Sequence, residues 1–129
     1  MRPAGAFLAA TLLAAASAAA EDSAGRRHSA TPNAYGAIAY HRASGAWGVS
    51  YDFARQRDAA AEALRQCGDP KCEVVHRFRN GCAALADGPA RLAAQSGTTR
   101  TEAEAKALRS CAEANRGAEC RLLAWGCTR

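Results

Sequence analysis

The chain has 129 residues, 49% of them hydrophobic and 22% charged, with a formal net charge of +5. That length suits one domain and excludes two of ordinary size. Arginine supplies nearly all of the positive excess, since Lys71 and Lys106 are the only lysines; the balance fits a solvated surface with weak attraction for anionic polymers or headgroups.

Arg2 is followed by an uncharged run, Pro3 to Ala20, with its apolar centre at Phe7-Leu8-Ala9-Ala10-Thr11-Leu12-Leu13. Ala18-Ala19-Ala20 offers the small residues that signal peptidase requires. Residues 1–20 therefore read as a signal peptide, not as a membrane anchor, and no second long apolar run follows them. Residues 21–33 are polar, carry His28 and Pro32, and lack an apolar face, so a flexible leader is expected there. The remaining residues, 34–129, are expected to form a single domain in the periplasm or outside the cell, with no transmembrane segment in the mature chain.

Gly36 to Tyr40 and Trp47 to Phe53 are aromatic or β-branched runs joined across Ala43-Ser44-Gly45, a hairpin pattern. Ala60, Ala63, Leu64 and Cys67 recur at helical spacing, and Gly68 with Pro70 ends that helix. Glu73 to Phe78 reads as a third strand. Asn80-Gly81 and Asp87-Gly88 both suit type I′ turns. They predict a meander through Val74–Phe78, Cys82–Ala86 and Ala90–Gln95. A second helix starts at Thr99-Arg100-Thr101-Glu102, which has capping-box spacing, and its stripe is Ala103, Ala107, Leu108 and Cys111. Cys120 to Cys127 closes the chain as a strand.

The chain also matches itself. Ala61-Glu62-Ala63-Leu64-Arg65-Gln66-Cys67 answers Ala105-Lys106-Ala107-Leu108-Arg109-Ser110-Cys111, Lys71-Cys72 answers Glu119-Cys120, and Gly81-Cys82 answers Gly126-Cys127. The expected fold is α+β: two pseudo-symmetric strand-strand-helix-strand copies, about 35–81 and 82–129, forming one antiparallel sheet with two Ala-rich helices. Alanine stripes bury little area, at roughly 25 cal/mol per Å², so disulfides must contribute much of the stability, about 2–4 kcal/mol each.

The six cysteines, Cys67, Cys72, Cys82, Cys111, Cys120 and Cys127, are an even set in a short exported chain and read as a disulfide framework. Their spacings are not paired zinc knuckles. Equivalent cysteines in two copies should pair equivalently. Joining each helix end to the strand start that follows gives Cys67–Cys72 and Cys111–Cys120 and leaves Cys82–Cys127, which could then straddle a pseudo-twofold axis. The same symmetry also admits Cys67–Cys82 with Cys111–Cys127.

Several of these segments resemble a known family. They are Tyr35-Gly36-Ala37-Ile38-Ala39-Tyr40, Gly45-Ala46-Trp47-Gly48-Val49-Ser50-Tyr51, Arg79-Asn80-Gly81-Cys82-Ala83-Ala84-Leu85-Ala86, Thr99-Arg100-Thr101-Glu102-Ala103 and Ala124-Trp125-Gly126-Cys127. Together they look like the bacterial exported proteins catalogued as domain of unknown function 4189, from Tyr35 to the C-terminus. The resemblance implies export and a compact cysteine-bridged domain, and it brings no catalytic residues. One departure is Arg55, which stands where Thr99 caps the second helix.

No constellation in the chain carries an obvious chemistry. His41 and His76 lack partner ligands at metal spacing, and no metal or other cofactor is expected. Gly48-Val49-Ser50-Tyr51-Asp52 misses the second glycine of a nucleophile elbow, so a Ser50, His41 or His76, and Asp52 triad has little support. Glu102 and Glu104 suit the first turn of a helix. Arg77 and Arg79 alternate with Phe78 and share one strand face, and Arg91 could join them across the meander as an anion-binding patch. Trp47 and Trp125 read as packing residues. A non-enzymatic binding domain for an anionic envelope polymer or lipid is thus the expected function. A secreted inhibitor of a host or competitor enzyme is the first rival, and a small hydrolase is the second; the partner could then be a secreted protein. Nucleic acid is not expected as a partner, because export removes it and few aromatics interleave with the arginines.

Overall fold

The computed structural model describes residues 31–129. The expected signal peptide, His28 and the leader up to residue 30 lie outside the described residues. Among the described residues no helix is long and apolar enough to cross a membrane.

Strands β1 (Tyr35–His41) and β2 (Ala46–Phe53) form the expected hairpin. Gly45 turns it with φ 76° and donates its amide to His41 O at 2.9 Å. Helix α1 (Gln56–Cys67) starts at Arg55 without a side-chain cap and stops at Gly68, which takes φ 75°. Strand β3 (Glu73–Arg79) returns along the free side of β1. The same sequence of elements then recurs as β4 (Cys82–Asp87), β5 (Leu92–Gly97), α2 (Arg100–Ala114) and β6 (Arg121–Cys127).

The strands do not make one sheet. They make two antiparallel three-stranded sheets, of order β2-β1-β3 and β5-β4-β6. Asn80, with φ 49°, turns the chain out of the first sheet and into the second. It is held there by mutual bonds of 3.0 Å with the Ala34 backbone. The Asn80-Gly81 turn is therefore a crossing between sheets, not a hairpin, and of the expected meander only the β4–β5 hairpin forms. Burial supplies the reason. The central strands β1 and β4 are buried on both faces: Ala37 and Ala39 meet Ala59, Ala63 and Cys67 of α1, and Ala84 and Ala86 meet Ala103, Ala107 and Cys111 of α2. The opposite faces carry the larger side chains Ile38, Tyr40, Val49, Phe78 and Leu85, which form one cluster between the sheets. A single flat sheet with both helices on one side would leave that cluster in water, so the sheets fold face to face.

Alanine lines both helix–sheet seams, and the first also has a glycine beneath the middle of its helix. Gly48 lies under α1, where a Cβ would collide with the Ala63 carbonyl and the Cys67 amide. The buried face of α1 is Ala59, Ala63 and Cys67, the same three places as Ala103, Ala107 and Cys111 in α2, and Leu64 of the expected stripe is left 38% exposed. In α2 the Thr99 hydroxyl accepts the Glu102 amide at 3.1 Å. The Glu102 carboxylate turns to Thr98 and Lys106 instead of back to the cap, so the capping box is half formed.

Strand β5 starts at Leu92, later than its expected start at Ala90. The buried Asn115 side chain accepts the Ala90 and Arg91 amides at 2.8 and 3.0 Å, which holds residues 88–91 as a loop beyond Asp87.

The bridges are Cys67–Cys72, Cys111–Cys120 and Cys82–Cys127. The first two tie each helix to the segment leading into its returning strand. Cys82 and Cys127 are direct neighbours on β4 and β6, so this bridge staples the second sheet and straddles no axis between units. The sheet registers explain the difference. Cys82 pairs with Cys127 where the first sheet pairs Tyr35 with Arg79. The two cysteines thus occupy different strands of one unit, not matching places in two.

Candidate functional site

Strand β3 places its arginines by alternation. Phe78 points into the cluster between the sheets. Arg77 and Arg79 pair with Ala37 and Tyr35 of β1, whose side chains belong to the α1 side, so both arginines sit on the outer face and are exposed. Because β3 is an edge strand, that face is a ledge beside the helix. Gln66 accepts the Val49 amide at 3.2 Å and bonds Glu62 at 2.9 Å, which puts the Gln66–Glu62 flank of α1 over β2. At about 100° per residue, Arg57 and Leu64 fall on the opposite flank, above β3. Ala60 and Val74 close the angle between them within the alanine cluster.

The ledge is basic and uncompensated. Among the described residues, no ion pair includes Arg57, Arg77 or Arg79. Of the two acids of α1, Asp58 falls on the outer side of the helix at about 100° per residue, and Glu62 belongs to the other flank and is held by Arg65, which pulls its pKa down to about 2.

Arg91 does not join this group. It lies in the β4–β5 loop of the second sheet, its backbone bonded to Asn115 at the end of α2. Tyr40 donates to Asp87 Oδ2 at 2.8 Å, so the Asp87–Arg91 end of the second sheet meets the Tyr40–Glu73 end of the first. Arg79 is at the far end of β3, roughly 20 Å away. Arg91 was expected through a β3–β4 pairing that the fold does not contain.

The Tyr40 contact belongs to a polar latch between the sheets. Arg42 reaches the same Asp87 at 2.9 Å and the Gly88 carbonyl at 2.6 Å. Burial, and then the Asp87 hydrogen bond, push the Tyr40 pKa up to about 12. Asp87 is thereby committed to structure.

His76 and Ser96 form a contact that sequence reasoning missed. The His76 Nε2 and Ser96 Oγ atoms are 2.7 Å apart across the seam between β3 and β5. The imidazole stacks on Phe78, and burial pushes its pKa down. Among the described residues no carboxylate bonds its other nitrogen, so the pair lacks the orienting acid of a triad. Ser50, considered with it from sequence, is buried and donates to Ala59 O at 2.6 Å while accepting the Ala37 amide. It pins α1 to β1 and is not presented to a substrate. His41, His76 and Asp52 do not gather around it. No group of three or more His, Cys, Asp or Glu residues is placed to hold a metal ion among the described residues.

Trp47 and Trp125 are 45% and 44% exposed, so neither is a core residue. Arg100 lies over the Trp125 ring at 3.9 Å and also pairs with Glu104 at 3.0 Å.

A family model described as Domain of unknown function (DUF4189) matches residues 35–127. The chain belongs to that family. Similar proteins include uncharacterized protein Rv1813c of Mycobacterium tuberculosis, 38% identical over 93 residues, which are 72% of this chain and 59% of that protein. The chain thus matches less than two thirds of the length of such curated relatives. Protein Rv1269c of the same organism is 42% identical over 52 residues, or 40% of each chain. The NMR structure of Rv1813c matches with a TM-score of 0.56 and 28% identity over 97% of this chain and 98% of that one. The α+β fold is therefore shared with the solved structure of a relative.

Proposed function

We propose that this chain is an exported, non-enzymatic binding domain that holds an anionic component of the envelope or cell surface on the ledge between α1 and β3. The observation that carries this is the exposed set Arg57, Arg77 and Arg79, which has no paired carboxylate among the described residues. Arg77 and Arg79 stand on a strand whose positions are fixed by pairing with β1, and the Cys67–Cys72 bridge anchors the start of that strand. A guanidinium on such a support loses little freedom on binding and can meet a phosphate or carboxylate through two parallel hydrogen bonds. Export to the periplasm or beyond is supported by the signal-peptide pattern and by three disulfides, which persist in oxidising compartments. The two like units are best explained as copies of one ancestral β-β-α-β element.

The test is retention of the full chain on a panel of anionic polymers and anionic vesicles. Retention should be present at low salt and fade as the Debye length falls to about 8 Å at physiological ionic strength. Arg77→Ala with Arg79→Ala should weaken it without lowering the melting temperature. No retention at low salt, or retention indifferent to both salt and the double variant, contradicts the proposal and favours inhibition of a secreted enzyme.

A further inference from the structure

The ledge has a shape and a spacing as well as a charge. Strand β3 is the edge of its sheet, and α1 stands over β1 and β2, so the helix forms a wall of about 10 Å beside the strand. Val74, Arg77 and Arg79 make the floor, and Arg57 and Leu64 hang from the wall. A flat bilayer resting on the crown of α1 is held away from the floor. A single extended polymer chain is not.

The arginines Arg77 and Arg79 are two residues apart on one face, which sets their Cα atoms about 7 Å apart along the strand. An extended peptide places three backbone bonds in each ~3.5 Å, so a polymer whose charges recur every six backbone bonds also repeats at about 7 Å. A phosphodiester of a three-carbon polyol has that repeat: O–C–C–C–O–P. Its phosphates suit the guanidinium fork, and its carbon segments can rest on the exposed Leu64. A single-stranded nucleic acid shares the backbone repeat but draws much of its affinity from stacking on exposed aromatics. The aromatic that borders the ledge, Tyr35, is half-buried in the alanine seam. The exposed Trp47 and Tyr51 are on β2, at the opposite edge of the sheet, and Trp125 is in the other unit.

Resting on the anion-binding function proposed above, we infer that the ledge takes a linear polyol phosphodiester laid along β3, with Arg77 and Arg79 on successive phosphates. Titration calorimetry of the full chain with synthetic glycerol-phosphate chains of increasing length, starting from the monomer, tests it. Affinity should climb at least about tenfold from monomer to short oligomer, because each added guanidinium–phosphate contact is a charge-assisted hydrogen bond. Arg77→Ala and Arg79→Ala should each weaken the oligomer about threefold to tenfold and flatten the salt dependence by about 0.7 in log–log slope. Arg91→Ala should change neither. If Arg77→Ala lowers the melting temperature, Arg77→Lys, which keeps the charge and loses the fork, should show the same loss by a smaller factor. Equal binding of the monomer, polyglutamate, phosphatidylglycerol vesicles or oligothymidylate would overturn the phosphodiester inference while leaving anion binding intact. Failure of every anion to bind would sink both.

Discussion

The same place in the two units is finished in two different ways. Beside α1, the outer face of β3 shows Arg77 and Arg79 with no partner among the described residues, and Arg57 above them. Beside α2, the register puts Trp125 of β6 opposite Ala84, the counterpart of Arg77 opposite Ala37. There Arg100 lies on the Trp125 ring and is paired with Glu104. One flank is left with free positive charge, and the other has its charge satisfied internally. Two units of like topology can therefore divide the work, with the second serving as the braced support for the first.

The bracing is unequal, and its removal should have the largest effect. Only the second sheet carries a cross-strand bridge, Cys82–Cys127, where the first has Tyr35 and Arg79. That bridge closes a separation of 45 residues against 5 for Cys67–Cys72. The chain-entropy model gives about 4 kcal/mol for the former and about 2 kcal/mol for the latter. Urea unfolding of the two double Cys→Ala variants should reproduce that order. A reversed order would mean that the second unit is not the one held by its staple.

The helix seams differ next. Gly48 under α1 has its counterpart in Ala93 under α2, since they pair with Ala39 and Ala86 in matching registers. Gly48→Ala should cost about 1–3 kcal/mol, by forcing α1 off its sheet, and Ala93→Gly no more than about 1 kcal/mol. Equal costs in thermal unfolding would show that α1 sits no closer than α2.

These two positions also mark what the sequence made legible. Strand and helix positions followed from periodicity, the Thr99 cap from its spacing with Glu102, and the cysteine pairs from the repeat. The two-sheet arrangement did not follow, because Asn80-Gly81 announces a reversal without saying which edge the next strand will meet. Only the competition for burial of Ile38, Phe78 and Leu85 decides that. The same error misplaced Arg91. Arg57 was missed for a different reason: the stripe was drawn through Ala60 and Leu64, whereas the buried face runs through Ala59, Ala63 and Cys67. His76 and Ser96 come from strands of different sheets, so no local pattern could join them.

Smaller effects concern the contacts between the units. Tyr40→Phe should cost about 1 kcal/mol for the lost bond to Asp87. The folded-state pKa of Tyr40 is raised, so its contribution is complete below pH 10 and fades as pH rises toward 12; Tyr40→Phe should remove that alkaline loss from the melting curve. His76 works in the other direction. Its folded-state pKa is lowered by burial, so its contribution is present above 6.5 and is lost as pH falls below that value. The wild-type melting temperature should therefore drop between neutral and mildly acidic pH, and His76→Gln should flatten the drop. An unchanged slope in the variant would place the acid sensitivity elsewhere.

The contrast between the two flanks is tested most directly by titrating the amide spectrum of the 15N-labelled full chain with a soluble polyanion at low salt. The account predicts that shifts concentrate on Arg57, Leu64 and the stretch from Val74 to Arg79, and that Arg100, Leu122 and Trp125 stay in place. Shifts concentrated on β6 and α2, or spread evenly over both units, would contradict it.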